Sequence, residues 1–171
     1  KMMLDSAQGV KYLHNNDILH RDIKPENILV MSLENDVEIN AKLTDFGSSR
    51  NVNKMVLDMT FTKGVGTPKY MPPEVLNRMH YEKSADVYSL GMTMCECFQW
   101  EKAFDPEKYR SWEIAEFISD GQRPSLDNIN DELASVVKDC WRQKMYDRIP
   151  IEEVVKRLAT IYSKPVLHTT Q

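Results

Sequence analysis

Residues 20–27 read His-Arg-Asp-Ile-Lys-Pro-Glu-Asn, a polar stretch with an apolar segment on each side. Ile18 and Leu19 precede it, and the apolar run 28–31 follows it. Pro25 lacks a backbone donor and restricts the residue before it, which favours a loop over a helix or a strand. The stretch is therefore predicted to be a short loop that presents charged and amide side chains.

A helix is predicted before this loop and a β-hairpin after it. Apolar residues recur at three- and four-residue steps near the start of the chain, which is typical of an amphipathic helix ending near Asn15 and Asn16. Residues 28–31 are predicted to form a short buried strand, and residues 41–43 its hairpin partner. The polar and acidic residues 33–40 between them are expected to form a surface loop.

The rest of the chain is predicted to be a long loop followed by helices. Residues 47–69 show neither a helical nor a strand period, and a loop of that length in a compact domain is usually functional. Residues 84–98 are strongly apolar and are predicted to form a helix that is buried all round. Further amphipathic helices are predicted at 109–119, 131–142 and 151–162. The expected fold class is mainly α (α+β), a helical bundle with a small β-hairpin.

Composition narrows the possible functions. A chain of 171 residues suits one domain, and a formal net charge of −4 argues against a nucleic-acid partner. Cys95, Cys97 and Cys140 lack the spacing of a metal site or a disulfide framework, which favours a reducing, intracellular compartment and a cytoplasmic protein. Cys95 and Cys97 lie in an apolar run and are expected to be buried. No apolar run is long enough to span a membrane.

The 20–27 stretch resembles the catalytic loop of protein kinases in its serine/threonine form. Asp45-Phe46-Gly47 resembles the metal-binding triplet of the same family, and 72–74 stands where the family usually has Ala-Pro-Glu. Further matches in family order are residues 66–71, residues 86–91, and Cys140-Trp141 with Arg148. Each motif alone would be read as a turn, a cap or a surface residue, but their combination favours a kinase. The resemblance implies a kinase-like C-terminal lobe over residues 1–171, its hairpin carrying the catalytic and metal-binding loops.

The resemblance implies phosphoryl transfer from ATP with Mg²⁺ as cofactor. Asp22 would accept a hydrogen bond from the substrate hydroxyl, and Lys24 would place its ammonium beside the transferred phosphate. Asn27 and Asp45 would supply the hard oxygen ligands that suit Mg²⁺. The residues implied in ATP binding are Lys24, Glu26, Asn27, Leu29 and Asp45, with Leu29 as the apolar floor under the adenine.

Other residues of the motifs are implied to support the site. His20 and Phe46 would pack the catalytic loop onto the core, and Asp86 would accept N–H bonds from that loop near His20 and Arg21. Glu74 and Arg148 would form a buried ion pair between the substrate loop and the helical core. Losing one partner of such a pair costs about 3–5 kcal/mol.

Arg21 directly before Asp22 implies control by phosphorylation, because such an arginine can pair with a phosphate on the activation loop. Thr62 is the preferred site in that loop, and Thr60 the next. Thr67 is expected to lie in the substrate-receiving turn and to hydrogen-bond Lys24 and Asp22.

The details of the motifs point to a subgroup of kinases and to a protein substrate. Lys24 favours serine/threonine specificity, whereas residues 121–124 with Cys140-Trp141 resemble tyrosine kinases and the tyrosine-kinase-like group. A tyrosine-kinase-like serine/threonine kinase is therefore expected.

The glycine-rich loop, strand lysine and hinge of an N-terminal lobe do not occur in this sequence. That lobe is expected as a partner in the full-length protein, and residues 1–171 alone are expected to be inactive. The alternative is a non-catalytic, kinase-like docking or regulatory module.

Overall fold

A computed structural model of the chain describes residues 1–34, 36–52, 67–77, 79, 81–105 and 107–164. The helices are α1 (Met2–Asn15), α2 (Pro73–Leu76), α3 (Lys83–Gln99), α4 (Ser111–Ser119), α5 (Asp131–Cys140) and α6 (Ile151–Tyr162). The strands are β1 (Ile18–Leu19), β2 (Ile28–Val30), β3 (Ala41–Leu43) and β4 (Arg50–Asn51). The predicted class, mainly α with a small β element, is confirmed.

Helix α3 lies at the centre of the helical core, where it contacts α1 and α5. Every residue from Ala85 to Glu96 is buried, which confirms the prediction of a helix buried on all sides. Gly91 marks a close approach to α5, since a Cβ there would lie 2.7 Å from the Cβ of Cys140. A larger residue at Gly91 would force the two helices apart.

Side-chain hydrogen bonds cap the starts of α4 and α5, whereas α6 begins after Pro150 without a side-chain cap. The backbone N–H of Arg110 donates to Oε2 of Glu113 at 2.7 Å where α4 begins. The side chain of Asn130 accepts from the N–H of Glu132 at 2.9 Å at the start of α5. Helix α6 packs against α1 and α5 and closes this side of the core. All three predicted outer helices are present, within two residues at each end.

The β2–β3 hairpin forms in an antiparallel register that pairs Ile28 with Leu43 and Val30 with Ala41. The predicted pairing is confirmed, but the predicted burial of this strand is wrong. Leu29 is 53% exposed and Val30 is 49% exposed. Helix α1 covers one face of the hairpin, where Leu43 packs close to Gly9. A run of apolar residues cannot distinguish a strand covered on one face from one covered on both.

A second small ladder was not predicted. Strand β1 pairs antiparallel with β4, with Ile18 opposite Asn51 and Leu19 opposite Arg50. A two-residue strand is too short to leave a period in the sequence. This ladder fixes the start of the 20–27 loop. Among the described residues, no helix has both the length and the apolar character needed to cross a membrane.

Candidate active site

The 20–27 loop is anchored by Asp86, a fully buried carboxylate on α3. Asp86 accepts N–H bonds from His20 at Oδ2 and from Arg21 at Oδ1, both at 2.9 Å. Nε2 of His14 lies 3.0 Å from Oδ2, and the hydroxyl of Tyr81 donates to Oδ1 at 2.9 Å. These bonds hold Arg21 at a left-handed φ of 71°, a conformation that surrounding structure must impose on a non-glycine residue. Asp86 therefore fixes the shape of the loop.

The side chains of Lys24 and Asn27 both bond the carboxylate of Asp22. Nζ of Lys24 lies 2.7 Å from Oδ2 of Asp22. Nδ2 of Asn27 donates to the same Oδ2 at 3.0 Å and to the Asp22 carbonyl at 2.8 Å. Within the described part of the chain, no hydrogen bond reaches Oδ1 of Asp22. One carboxylate oxygen is therefore held in place while the other stays available to an incoming hydroxyl.

The hairpin brings Asp45 to the same end of the sheet as Asn27. Thr44 donates to the carbonyl of Asn27 through its N–H at 2.9 Å and through Oγ1 at 3.1 Å. Asp45 comes next, at a left-handed φ of 57°, and its Oδ1 accepts from the N–H of Gly47 at 3.2 Å. The pairing of β2 with β3 thus brings two residues that are distant in the sequence to the same end of the hairpin.

Asn27 and Asp45 have the donor atoms that a magnesium ion needs. Because the amide nitrogen of Asn27 is committed to Asp22, its oxygen Oδ1 is the atom left to face a cation. The carboxylate of Asp45 is exposed. Oxygen ligands suit Mg²⁺, which needs only one or two of them from the protein when phosphates and waters supply the rest. The residues present therefore fit the ion that the sequence implies.

Several side chains next to these two residues are exposed. Glu26 and Leu29 are exposed, and they flank Asn27 in the chain. Phe46 is 51% exposed, and its ring packs against the fully buried ring of His20 at a centroid distance of 5.3 Å. Nε2 of His20 lies 3.0 Å from the carbonyl of Thr44. His20 thereby connects the catalytic loop to the segment that leads to Asp45.

Thr67 does not make the hydrogen bonds expected of it. Its carbonyl accepts from the N–H of Tyr70 at 2.9 Å and opens the 3-10 turn Pro68–Tyr70. In the described residues no hydrogen bond joins Thr67 to Lys24 or Asp22, so that expectation is wrong for this structure. Lys24 bonds the carboxylate of Asp22 directly instead.

Arg21 carries a buried polar atom without a hydrogen bond in the described part of the structure, its Nε. Its guanidinium lies over the ring of Tyr81, 5.6 Å from the centroid. The phosphorylation candidates Thr60 and Thr62 lie outside the described residues. Their relation to Arg21 therefore stays a prediction from the sequence.

Arg148 and Glu74 form the ion pair that the motifs imply. Nη1 and Nη2 of Arg148 bond Oε1 and Oε2 of Glu74 at 2.6 and 2.8 Å. Nη1 also donates to the carbonyl of Ser84 at 3.1 Å, and the guanidinium lies 5.0 Å from the ring centroid of Tyr88. The pair joins α2, which follows the 3-10 turn Pro68–Tyr70, to the start of α3.

Sequence reasoning missed a second polar cluster, built around Glu96 on α3. Oε1 of Glu96 lies 2.9 Å from Nζ of Lys69, and Oε2 accepts from the hydroxyl of Tyr70 at 2.6 Å. Burial, and then Glu96, raise the pKa of Tyr70 far above its usual value, so the phenol remains a donor. Burial followed by Glu96 and Glu26 also raises the pKa of Cys97 to about 11. The sequence feature that could have indicated this cluster is Glu96 itself, a single glutamate within the apolar 84–98 segment.

Comparison with known proteins shows the family of this chain. The family model described as protein kinase domain matches residues 1–158. The chain is 34% identical over 167 residues to "Probable serine/threonine-protein kinase gdt2" of Dictyostelium discoideum, covering 96% of this chain and 10% of that protein. It is 36% identical over 166 residues to "Probable serine/threonine-protein kinase roco8" of the same organism, covering 94% and 9% respectively.

A plant relative shows the same similarity. The chain is 34% identical over 164 residues to "Serine/threonine-protein kinase VIK" of Arabidopsis thaliana, covering 92% of this chain and 36% of that protein. The chain thus spans only about a tenth to a third of the length of these relatives. The ordered motifs, the site built around Asp22 and the family match together establish that this chain belongs to the protein kinase family.

Proposed function

We propose that this chain is the C-terminal lobe of a serine/threonine protein kinase that transfers the γ-phosphoryl group of ATP to a protein hydroxyl. The observation that carries the proposal is the cluster in which Lys24 and Asn27 fix one oxygen of Asp22. Such positioning, together with charge stabilisation, is most of what phosphoryl transfer asks of a protein. The names of the relatives support a serine or threonine acceptor.

Each residue of the cluster has a defined part in this proposal. Asp22 accepts a hydrogen bond from the acceptor hydroxyl through Oδ1, orients its oxygen and receives its proton. Lys24 holds the other carboxylate oxygen and places a positive charge beside the transferred group. Asn27 and Asp45 would hold Mg²⁺ through oxygen atoms. When bound, the metal ion offsets the negative charge of the phosphates.

The exposed side of the hairpin is proposed as the surface that meets the adenine and a smaller N-terminal lobe. Leu29, Val30, Met31 and Leu33 are each about half exposed or more, with Leu33 at 77%. Adjacent apolar side chains left in water mark an interface more often than a free surface. Leu29 is the residue proposed to lie under the adenine.

The subgroup and the cellular location are proposals of the same kind. The guanidinium of Arg123 donates through Nε to the carbonyl of Trp141 at 3.0 Å, which links the two segments that resemble the tyrosine-kinase-like group. The free thiols of Cys95, Cys97 and Cys140 fit a reducing, intracellular compartment.

Phosphotransfer by the full-length protein tests the proposed function. The protein is incubated with Mg²⁺ and γ-labelled ATP and with three peptides that differ only in a serine, threonine or tyrosine acceptor. We expect label on the serine and threonine peptides and little on the tyrosine peptide. Label on none of them would contradict the proposal and favour the non-catalytic docking module.

A further inference from the structure

Glu96 lies where the catalytic loop, the substrate-receiving turn and α3 meet. Helix α3 contacts both the 3-10 turn Pro25–Asn27 of the catalytic loop and the 3-10 turn Pro68–Tyr70. The side chain of Glu96 is only 8% exposed. A carboxylate this well buried requires partners, and this one has them within the chain.

Three donors from two segments satisfy Glu96. Lys69 and the N–H of Ala103 bond Oε1 at 2.9 and 2.8 Å, and the hydroxyl of Tyr70 bonds Oε2 at 2.6 Å. The ammonium of Lys69 also lies over the ring of Tyr70, 4.6 Å from its centroid. The side chain of Lys69 is only 15% exposed, so its positive charge is offset mainly by Glu96 and little by solvent.

A second carboxylate, that of Glu26, belongs to the 3-10 turn Pro25–Asn27, which contacts α3. Glu26 is exposed, and after burial and Glu96 its charge contributes to the raised pKa values of Tyr70 and Cys97. The region between the catalytic loop and the substrate-receiving turn therefore carries two negative charges, on Glu26 and Glu96, and one positive charge, on Lys69. Without Lys69 it would be a strongly anionic surface beside the site where we place the acceptor peptide.

We propose that Lys69 occupies, from within the chain, the anionic position that Glu96 would otherwise offer to a basic side chain of the substrate. The inference rests on the proposed kinase function and names a specificity-determining residue for it. A substrate lysine or arginine would have to displace Lys69 and leave an ammonium unpaired in a nearly buried position. Specificity is a difference between affinities for two ligands. Because Lys69 competes only with basic side chains, it lowers the affinity for basic peptides and leaves the affinity for other peptides unchanged.

The test removes the internal charge and measures peptide preference. In full-length Lys69→Met the side-chain stem can still cover Tyr70, while Ala103 and Tyr70 still satisfy Glu96. Serine peptides with arginine or alanine at each flanking position are compared by kcat/KM and by Kd from fluorescence anisotropy. We expect the ratio of kcat/KM for the arginine peptide to that for the alanine peptide to rise about tenfold or more at one position. A gain of this size corresponds to one additional hydrogen bond between charged groups.

Matched variants separate this effect from a general loss of a lysine. Lys69→Arg keeps the ion pair, so its preference should equal that of the unchanged protein. Lys83→Met removes a lysine from the exposed ion pair with Asp17, where both side chains are about half exposed. That variant should leave the preference unchanged as well. Glu96→Gln should also leave it unchanged, because Lys69 already excludes substrate cations from Glu96.

Several outcomes would overturn the proposal. Unchanged preference in Lys69→Met would do so, and so would a loss of arginine preference in Glu96→Gln, which would mean that Glu96 already binds substrate cations. If Lys69→Met does not fold, Lys69→Gln, which removes the charge but keeps a hydrogen-bond donor for Glu96, is measured in its place, and an unchanged preference in that variant would overturn the proposal. If no preparation transfers phosphate, the proposed function fails, whereas the ratio of peptide Kd values still decides the role of Lys69.

Discussion

Glu74 and Arg148 lie 74 positions apart in the chain and form an ion pair with two hydrogen bonds, at 2.6 and 2.8 Å. The side chain of Arg148 is fully buried and that of Glu74 is 8% exposed. Two charges in such a place stabilise the fold only as a pair, because removal of one leaves the other desolvated and unpaired.

The first prediction therefore concerns stability. Arg148→Met should lower the free energy of unfolding by about 3–5 kcal/mol, measured by chemical denaturation. Arg142→Met is the control, because Arg142 pairs with Asp139 from a side chain that is 56% exposed. Its cost should stay below about 1 kcal/mol. Equal losses in the two variants would contradict the assignment of Glu74 and Arg148 as a buried structural pair.

The second prediction concerns turnover by the full-length protein. Asp22→Asn should lower kcat by several orders of magnitude, since the isosteric amide loses both the charge and the capacity to accept the hydroxyl proton. The folded structure should persist in this variant. Asp17→Asn changes an exposed carboxylate in the ion pair with Lys83 and should leave kcat unaltered. A near-normal kcat for Asp22→Asn would rule out the proposed role of Asp22.

The third prediction separates positioning from stability. Asp86 and Asp5 are both buried carboxylates that accept backbone N–H bonds, Asp5 from Asn40 at 2.7 Å and from Ala41 at 3.3 Å. Changing either to asparagine turns an acceptor oxygen into a donor nitrogen that faces N–H groups. Each variant should lose about 1–3 kcal/mol of stability.

Only Asp86→Asn should also lower kcat, because Asp86 fixes the N–H groups of His20 and Arg21 next to Asp22. The measurement is kcat at saturating ATP and peptide, at a temperature where both variants are folded. If Asp5→Asn lowers kcat as much as Asp86→Asn, the effect of Asp86 is general destabilisation.

The fourth prediction concerns the thiols. Burial raises the pKa of both Cys95 and Cys97 to about 11, and it raises the pKa of Cys140 further. The reactive thiolate is therefore scarce in the folded protein at neutral pH and becomes populated only as the pH approaches these values. Alkylation of the native protein at pH 7 should be slow at all three residues and become fast after denaturation. Rapid native labelling of Cys97 would show that its site is open to solvent.

The fifth prediction concerns regulation through Arg21. Active full-length protein should carry phosphate on Thr62, or otherwise on Thr60, as read by mass spectrometry. Phosphatase treatment should lower kcat, and it should have no further effect in Arg21→Met, because the phosphate then lacks its partner. Active protein without any phosphate between Ser48 and Thr62 would contradict this mechanism.

The sequence by itself determined the family and the order of the long helices and the β2–β3 hairpin, and it named the residues of the candidate site. The α3 segment is a long apolar run, and the α6 segment has apolar residues at helical spacing. The positions of both helices therefore follow from the local sequence pattern alone. The 20–27 loop and Asp45-Phe46-Gly47 were recognised as motifs because phosphoryl transfer demands particular side chains at particular spacings. These features depend on neighbours in the chain, which a sequence displays directly.

Only the tertiary structure decided which side chains meet across the chain and which faces are covered. The partners of Asp86 beyond the loop, the exposed hairpin face and the β1–β4 ladder were not predicted. The pair of Lys69 with Glu96 was also missed, because nothing in either segment alone shows that they adjoin. Burial makes an ionised group dependent on its partners within the protein, and packing between distant segments chooses those partners.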